Sequence, residues 1–215
     1  MSNNTFTQIY RLLYDHFGSQ RWWPGDTNFE IIVGAVLTQN TNWSNVEKAI
    51  NNLKEADLLT YHRLSSLHVD EIADYIRPSG YYNLKARRLK NLLGMIDSCY
   101  GGELEEMLTD EMSTARENLL SVKGVGPETA DSILLYACGH PIFVVDMYTH
   151  RVFSRHRMID EETNYQTIQD TFMDHLDNDP QLFNEYHALI VRVAATYCKK
   201  TTPLCDRCPL NGFNL

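Results

Sequence analysis

Several features are missing from this sequence of 215 residues, and each absence narrows the class of protein. No apolar run is long enough to cross a bilayer, and the opening residues MSNNTFTQIY lack the regions of a signal peptide. The chain also lacks internal repeats, low-complexity tracts and sustained alternation of apolar and polar side chains. We therefore expect a cytoplasmic, all-α protein with no membrane segment, in one large domain or two small ones.

Cysteine is too unevenly placed for a disulfide framework. Three of the five cysteines lie near the C-terminus at C-x6-C-x2-C spacing. In a reducing compartment such a group indicates a metal or cluster site, or what remains of one.

Positive charge is missing from one long segment. Met158 to Val191 carries eight acidic residues and no Lys or Arg, and so accounts for −8 of the net charge of −9. By contrast, Arg77 to Lys90 carries five positive charges and no negative one. The overall charge opposes binding to phosphates, but its distribution predicts a basic face and an acidic back. A solvated charge run is the alternative interpretation.

Apolar residues recur at helical spacing along most of the chain. This periodicity predicts helices over 5–17, 29–41, 84–96, 112–120, 165–176 and 183–198, with Asp179-Pro180 as a break.

The most informative stretch runs from Leu119 to Arg151. In Gly124-Val125-Gly126 the two glycines allow backbone angles forbidden to other residues, and Pro127 then suits the first turn of a helix. Free amides beside the positive end of a helix form a seat for a phosphate. An apolar run then leads to Asp146, just before another helix. Taken singly, the glycines also suit an ordinary turn, and the aspartate suits a helix N-cap.

The pattern LLSVKGVGPETA followed by VVD resembles the helix-hairpin-helix DNA glycosylase superfamily, of which endonuclease III is a member. The resemblance implies a two-lobed, all-α fold with the active cleft between the lobes. A six-helix lobe over 24–137 would contain the hairpin, and 1–23 plus 138–215 would form the second lobe with the cysteine motif. It also implies a monomeric, nucleoid-associated enzyme that everts a damaged base from double-stranded DNA and breaks its N-glycosidic bond, with Asp146 as the catalytic residue.

The resemblance also assigns contacts to DNA. Gln39 matches a glutamine that enters the gap left by the everted nucleotide, and Tyr81 stands where endonuclease III places an intercalating side chain. A wedge of this kind offsets the cost of unstacking the target. The remaining predicted DNA-binding residues are the hairpin group and two cations of the basic segment: Lys123, Gly124, Val125, Gly126, Thr129, Lys85 and Arg87.

Aromatic residues suggest the kind of base. Trp22, Trp23, Pro24 and Trp43 resemble the base pocket of the 3-methyladenine DNA glycosylase III subfamily. An alkylated purine such as 3-methyladenine is a cation, and aromatic faces attract a desolvated cation by about 0.5–2 kcal/mol per contact. The tryptophans adjacent to Pro24 are equally compatible with a core at a domain seam.

Glu128 occupies the position at which strand-cutting members of the superfamily carry a lysine. A carboxylate cannot form a Schiff base, so the sequence predicts a monofunctional glycosylase that leaves an abasic site. Two alternatives remain: an endonuclease III-like pyrimidine or uracil/thymine mismatch glycosylase with weak lyase activity, and a non-catalytic DNA-binding module.

Cys198, Cys205 and Cys208 match three of the four cysteines that hold the [4Fe–4S] cluster of endonuclease III, and Asn214 takes the fourth position. Either a cluster persists with an incomplete cysteine set, or hydrophobic packing has replaced it. The glycosidic chemistry needs no cofactor.

Overall fold

The computed structural model describes residues 4–23 and 25–213, so Pro24 and Asn214 lie outside the described residues. Within those ranges the regular structure is entirely helical, which confirms the all-α prediction. No helix in the same ranges has both the length and the apolar character to cross a membrane. The chain divides into two units, one from Pro24–His140 and one from Met1–Trp23 with Pro141–Leu215.

The Pro24–His140 unit contains eight α-helices among its described residues, whereas the family resemblance implied a six-helix lobe over 24–137. Three of the eight helices have only six or seven residues, which is too few for their apolar periodicity to predict them. In chain order the helices are α2 (Asn28–Leu37), α3 (Trp43–Glu55), α4 (Tyr61–Ser66), α5 (Val69–Tyr75), α6 (Tyr82–Tyr100), α7 (Leu104–Thr109), α8 (Met112–Ser121) and α9 (Pro127–Tyr136), with a 3-10 turn at Arg77–Ser79 before α6.

Helix α2 is the centre of this unit. Every residue from Phe29 to Leu37 is buried, as expected for a helix that is apolar on all sides and packs against α3, α6 and α9. The helix begins where the Thr27 hydroxyl accepts a hydrogen bond from the Glu30 amide, at 3.1 Å. It ends at Leu37, and the polar residues that follow carry Gln39 to the surface of the unit.

The second unit comprises four helices in its described part and a short 3-10 turn. They are α1 (Thr5–Phe17), α10 (Met147–Arg155), α11 (Tyr165–His175), α12 (Pro180–Thr196) and the turn Cys205–Arg207. The predicted helix over 5–17 is therefore confirmed, and Asp179-Pro180 starts α12 as its N-cap and first residue.

Aromatic side chains fill the core of the second unit. Phe143 stacks on Phe172 with ring centroids 4.1 Å apart, and Phe153 meets Phe172 edge to face at 4.6 Å. The buried Tyr186 hydroxyl donates to the Phe6 carbonyl at 2.9 Å, which attaches α1 to α12 across 180 residues of sequence. This core supports the segment that ends in Asp146.

Candidate active site and nucleic-acid interface

The glycine hairpin joins α8 to α9 in the Pro24–His140 unit. Gly124 has φ +102°, and a Cβ atom there would lie 2.5 Å from Arg88 Cγ, so only glycine fits. Gly126 is different: its φ is −102°, a Cβ would meet nothing within 4 Å, and it serves as the N-cap of α9. Of the two glycines, only Gly124 uses the backbone freedom that the sequence analysis noted for both.

The turn is exposed on one side and anchored on the other. Lys123, Gly124 and Gly126 are exposed, while the Val125 side chain is 7% exposed and packs inward. The first amides of a helix lack partners within the helix, so the start of α9 presents donors at an exposed surface. The predicted roles of these residues toward phosphate remain predictions.

An ion pair fixes the two arms of the hairpin. Arg116 of α8 donates from Nε to Asp131 Oδ1 at 2.7 Å and from an Nη to Oδ2 at 3.2 Å, and Asp131 is fully buried. A two-pronged guanidinium–carboxylate contact sets the orientation as well as the distance between helices.

Gln39 binds the hairpin rather than extending freely. Its Nε2 donates to the Gly124 carbonyl at 3.1 Å and to the Thr129 hydroxyl at 2.9 Å, and its Oε1 accepts from Arg88. Thr129 is 7% exposed and its hydroxyl accepts from Gln39, so its predicted contact with DNA stays a prediction. Entry of Gln39 into a DNA stack stays a prediction, and it requires these hydrogen bonds to break.

Tyr81 is presented to solvent. Its side chain is 71% exposed, and its left-handed backbone, with φ +46°, precedes the first turn of α6. Leu84, one turn further, is 44% exposed and adds a second apolar group that the sequence analysis did not single out. Two large exposed apolar side chains at the start of α6 suit a surface that meets a partner.

The basic segment differs from its prediction. Lys85 is 1% exposed, so it is not a phosphate contact; its ammonium donates to the carbonyls of Leu37 at 2.8 Å and Ser79 at 2.6 Å. Lys90 similarly donates to two carbonyls at the C-terminal end of α4, those of Ser65 and Leu67. Arg87 is exposed, with Nε on a carbonyl of its own helix, and remains a candidate for DNA contact. Charge alone did not reveal which face of α6 is inward.

Asp146 lies in the other unit, at the end of the buried run Ile142–Val145 and at the N-cap of α10. Its Oδ1 accepts from the amides of Tyr148 at 2.9 Å and Thr149 at 2.7 Å, and from the Thr149 hydroxyl at 3.0 Å. One carboxylate oxygen thus performs the capping that the sequence offered as the alternative to catalysis.

The second carboxylate oxygen of Asp146 faces a histidine that sequence reasoning missed. Oδ2 lies 3.4 Å from His187 Nε2, and the two side chains are 9% and 6% exposed. Burial acts to raise the pKa of Asp146, but His187 and the hydrogen bonds from Thr149 outweigh it and hold the pKa below its usual value. The group is therefore an ionised carboxylate at neutral pH.

The aromatic residues predicted to bind the base are half-buried. Trp22 and Trp23 meet edge to face, with ring centroids 5.9 Å apart, in the unit that holds Asp146. Trp43 is the first residue of α3 in the other unit, and Pro24 lies outside the described residues. The base pocket remains a prediction.

The three C-terminal cysteines line a cavity of about 280 Å³ together with Arg155, His156 and Tyr197. Arg155 donates to Cys198 Sγ at 3.3 Å. Across 4–23 and 25–213, no three His, Cys, Asp or Glu side chains are grouped to hold a metal ion. A [4Fe–4S] cluster takes four thiolates, so the described residues do not fit one.

Together, the hairpin and the ionised carboxylate define a helix-hairpin-helix protein that acts on DNA. Residues 33–177 match the family described as HhH-GPD superfamily base excision DNA repair protein, and the chain belongs to this superfamily. Its activity is that of a DNA glycosylase in base excision repair.

Three similar proteins illustrate the range of the family. A Methanocaldococcus jannaschii protein, provisionally named a DNA repair glycosylase, is 48% identical over all of this chain and 99% of its own length. H. pylori 3-methyladenine DNA glycosylase (MagIII) bound to 1,N6-ethenoadenine is 31% identical, with a TM-score of 0.74 over 88% of this chain and 97% of its own. A non-covalent endonuclease III–DNA complex is 26% identical, with a TM-score of 0.80 over 96% and 94%.

Proposed function

We propose that this protein is a monofunctional glycosylase that removes an alkylated purine, such as 3-methyladenine, from double-stranded DNA. The observation that carries the proposal is that Asp146 is an ionised, buried carboxylate. In addition, Glu128 stands at the position where a strand-cutting relative needs a lysine. The similarity to a 3-methyladenine glycosylase supports the choice of base.

Asp146 supplies the chemistry of bond cleavage. As the bond from the base nitrogen to the sugar C1′ breaks, its electron pair leaves with the base and positive charge develops on the sugar. An ionised carboxylate stabilises that charge and accepts the proton of the water that adds to C1′. The capping amides hold Oδ1, so we assign this role to Oδ2, whose neighbour in the protein is His187 Nε2 at 3.4 Å.

An alkylated purine suits a site with a single carboxylate. The base carries its positive charge before cleavage and becomes neutral when it takes the electron pair. It needs no proton from a general acid, so a second catalytic carboxylate is unnecessary. The edge-to-face pair Trp22 and Trp23 supplies aromatic surface of the kind that attracts a cationic base.

Monofunctional hydrolysis follows from the residues at the start of α9. Glu128 is exposed in the first turn and has no nucleophilic amine. Lys123 precedes the hairpin, and we assign it to the DNA backbone rather than to covalent catalysis.

The C-terminal segment is proposed to be held without a cluster. Arg151 donates to the Cys198 carbonyl at 2.8 Å, and Arg155 donates to the carbonyls of Lys199 at 2.8 Å and Lys200 at 2.9 Å. Leu210, 1% exposed, packs beneath the same segment. These contacts provide the restraint that metal ligation would otherwise give.

A panel of duplexes, each with one defined lesion, tests the proposal. The panel contains alkylated purines, damaged pyrimidines, and mismatched uracil or thymine, and released bases are identified by chromatography. We expect release of alkylated purines above all others. Preference for a pyrimidine would instead favour the endonuclease III-like function, which the similarity to the endonuclease III–DNA complex makes the second candidate.

A further inference from the structure

Lys85 is a buried cation that the proposed chemistry does not use. It lies one turn into α6, yet its side chain points into the unit and is 1% exposed. Lysine is seldom buried to this extent unless its ammonium is bound. Here the ammonium donates to the Leu37 carbonyl at 2.8 Å and to the Ser79 carbonyl at 2.6 Å.

The two carbonyls belong to separate segments that end in the predicted DNA-inserting residues. Leu37 is the last residue of α2, two positions before Gln39. Ser79 is the last residue of the 3-10 turn, two positions before Tyr81. Two residues of extended chain span at most about 7 Å. By holding the two carbonyls, the ammonium therefore restricts how far the backbone of Gln39 and that of Tyr81 can move.

Two carbonyls at this junction attract a cation, while burial and the nearby Arg88 oppose its charge. The last carbonyls of a helix lack internal donors and carry the negative end of the helix dipole. The Leu37 carbonyl and the Ser79 carbonyl both end helical turns, so one ammonium satisfies two such groups from two segments. Arg88, the charged neighbour that acts on Lys85, is itself bonded to Gln39.

We infer that Lys85 is a positioning residue that clamps the Gln39 and Tyr81 loops together, so that they enter the DNA stack as one rigid wedge. The inference rests on the proposed function, in which these loops replace an everted nucleotide. Holding the backbone of both loops in place lowers the entropic cost of base eversion, and only the Gln39 side chain then has to leave its partners Gly124, Thr129 and Arg88.

Lys90 provides a matched control. It lies on the same helix, is half-buried, and also donates to two carbonyls, those of Ser65 at 2.7 Å and Leu67 at 3.0 Å, but both are at the C-terminal end of α4. Methionine keeps most of the aliphatic stem of lysine and removes every donor. Lys85→Met and Lys90→Met thus delete equal numbers of hydrogen bonds from different loops.

The experiment measures base eversion by stopped-flow fluorescence of 2-aminopurine placed beside the target nucleotide. On a fully paired duplex we expect Lys85→Met to slow the fluorescence rise roughly tenfold or more, and Lys90→Met to resemble the wild type. On a duplex whose target is already unstacked in a bulge, we expect all three proteins to respond at similar rates.

Equal rates for Lys85→Met and wild type on paired DNA would overturn the clamp. The clamp would also be overturned if both variants slowed the fluorescence rise equally, or if Lys85→Met slowed it equally on paired and bulged DNA. Absence of any fluorescence rise with the wild type would overturn it as well. Lys85→Leu, which also removes every donor, replaces the methionine variant if that protein does not fold, with the same criteria. Failure of the wild type to release any base would instead overturn the proposed function, because the fluorescence signal needs no bond cleavage.

Discussion

The two hairpin glycines provide the sharpest prediction, because alanine should destabilise the protein at position 124 and leave its stability nearly unchanged at position 126. Alanine at position 124 would have to adopt φ +102°, which costs about 1–3 kcal/mol for a residue with a side chain. Its Cβ would also lie 2.5 Å from Arg88 Cγ and 2.9 Å from Arg88 Cδ, so the arginine must move and its bond to Gln39 weakens. We expect a total loss of about 2–5 kcal/mol in the free energy of unfolding.

Alanine at position 126 meets neither obstacle. The backbone there is extended, and the space around a Cβ is open. Alanine is a poorer N-cap than glycine, which destabilises the protein slightly, but it also restricts the unfolded chain, which stabilises the folded state slightly. We therefore expect the free energy of unfolding to change by no more than about 1 kcal/mol. The added methyl group nevertheless stands at the exposed start of α9, where a phosphate must approach. Gly126→Ala should therefore weaken DNA binding while leaving stability nearly unchanged.

Urea unfolding followed by circular dichroism measures the stability of both variants, and fluorescence anisotropy with a labelled duplex measures their affinity. Equal stability of Gly124→Ala and wild type would refute the account of the close approach to Arg88. A larger stability loss for Gly126→Ala than for Gly124→Ala would refute the account of the hairpin itself.

Three further predictions follow from other parts of the structure. Borohydride reduction in the presence of abasic-site DNA should trap no covalent adduct, because Glu128 cannot form an imine; a strong adduct on gel electrophoresis would contradict this. Anaerobically purified protein should be colourless, and visible absorbance with about four irons per chain by metal analysis would contradict the proposed cluster-free C-terminal segment. Burial, and then Arg88, lower the pKa of Lys85 from 10.5 to about 8, so the unfolded state retains this proton over a range in which the folded state has lost it. The unfolding free energy of the wild type relative to Lys85→Met should therefore rise with pH between about 8 and 10.5 and stay flat below about 8. Urea titrations across that range measure this difference. A fall in the difference with rising pH would contradict the lowered pKa of Lys85.

The helices with several turns were accessible from sequence because their apolar faces repeat over enough residues to define a period. The helix over 5–17 illustrates this, and the helix predicted over 183–198 corresponds to α12, which begins three residues earlier at Pro180. The short helices α4, α5 and α7 have six or seven residues each, too few for an apolar repeat to predict them.

The roles of single polar residues were less accessible. The run from Arg77 to Lys90 shows positive charge, but only packing reveals that Lys85 points inward while Arg87 points outward. His187 lies within an apolar stretch of α12 and resembles a core residue until the fold brings it within 3.4 Å of Asp146. Asp146 could be singled out as a candidate because neighbouring residues alone show that it follows an apolar run and precedes a helix.

The most direct test of the central claim is a single-turnover time course on a duplex containing one 3-methyladenine. Wild type and Asp146→Asn are compared, and each time point is analysed with and without alkali. We predict that the wild type releases the base and that strand breaks appear only after alkali, while Asp146→Asn binds the duplex and releases no base. Base release by Asp146→Asn at the wild-type rate, or strand cleavage by the wild type without alkali, would contradict hydrolysis by this carboxylate.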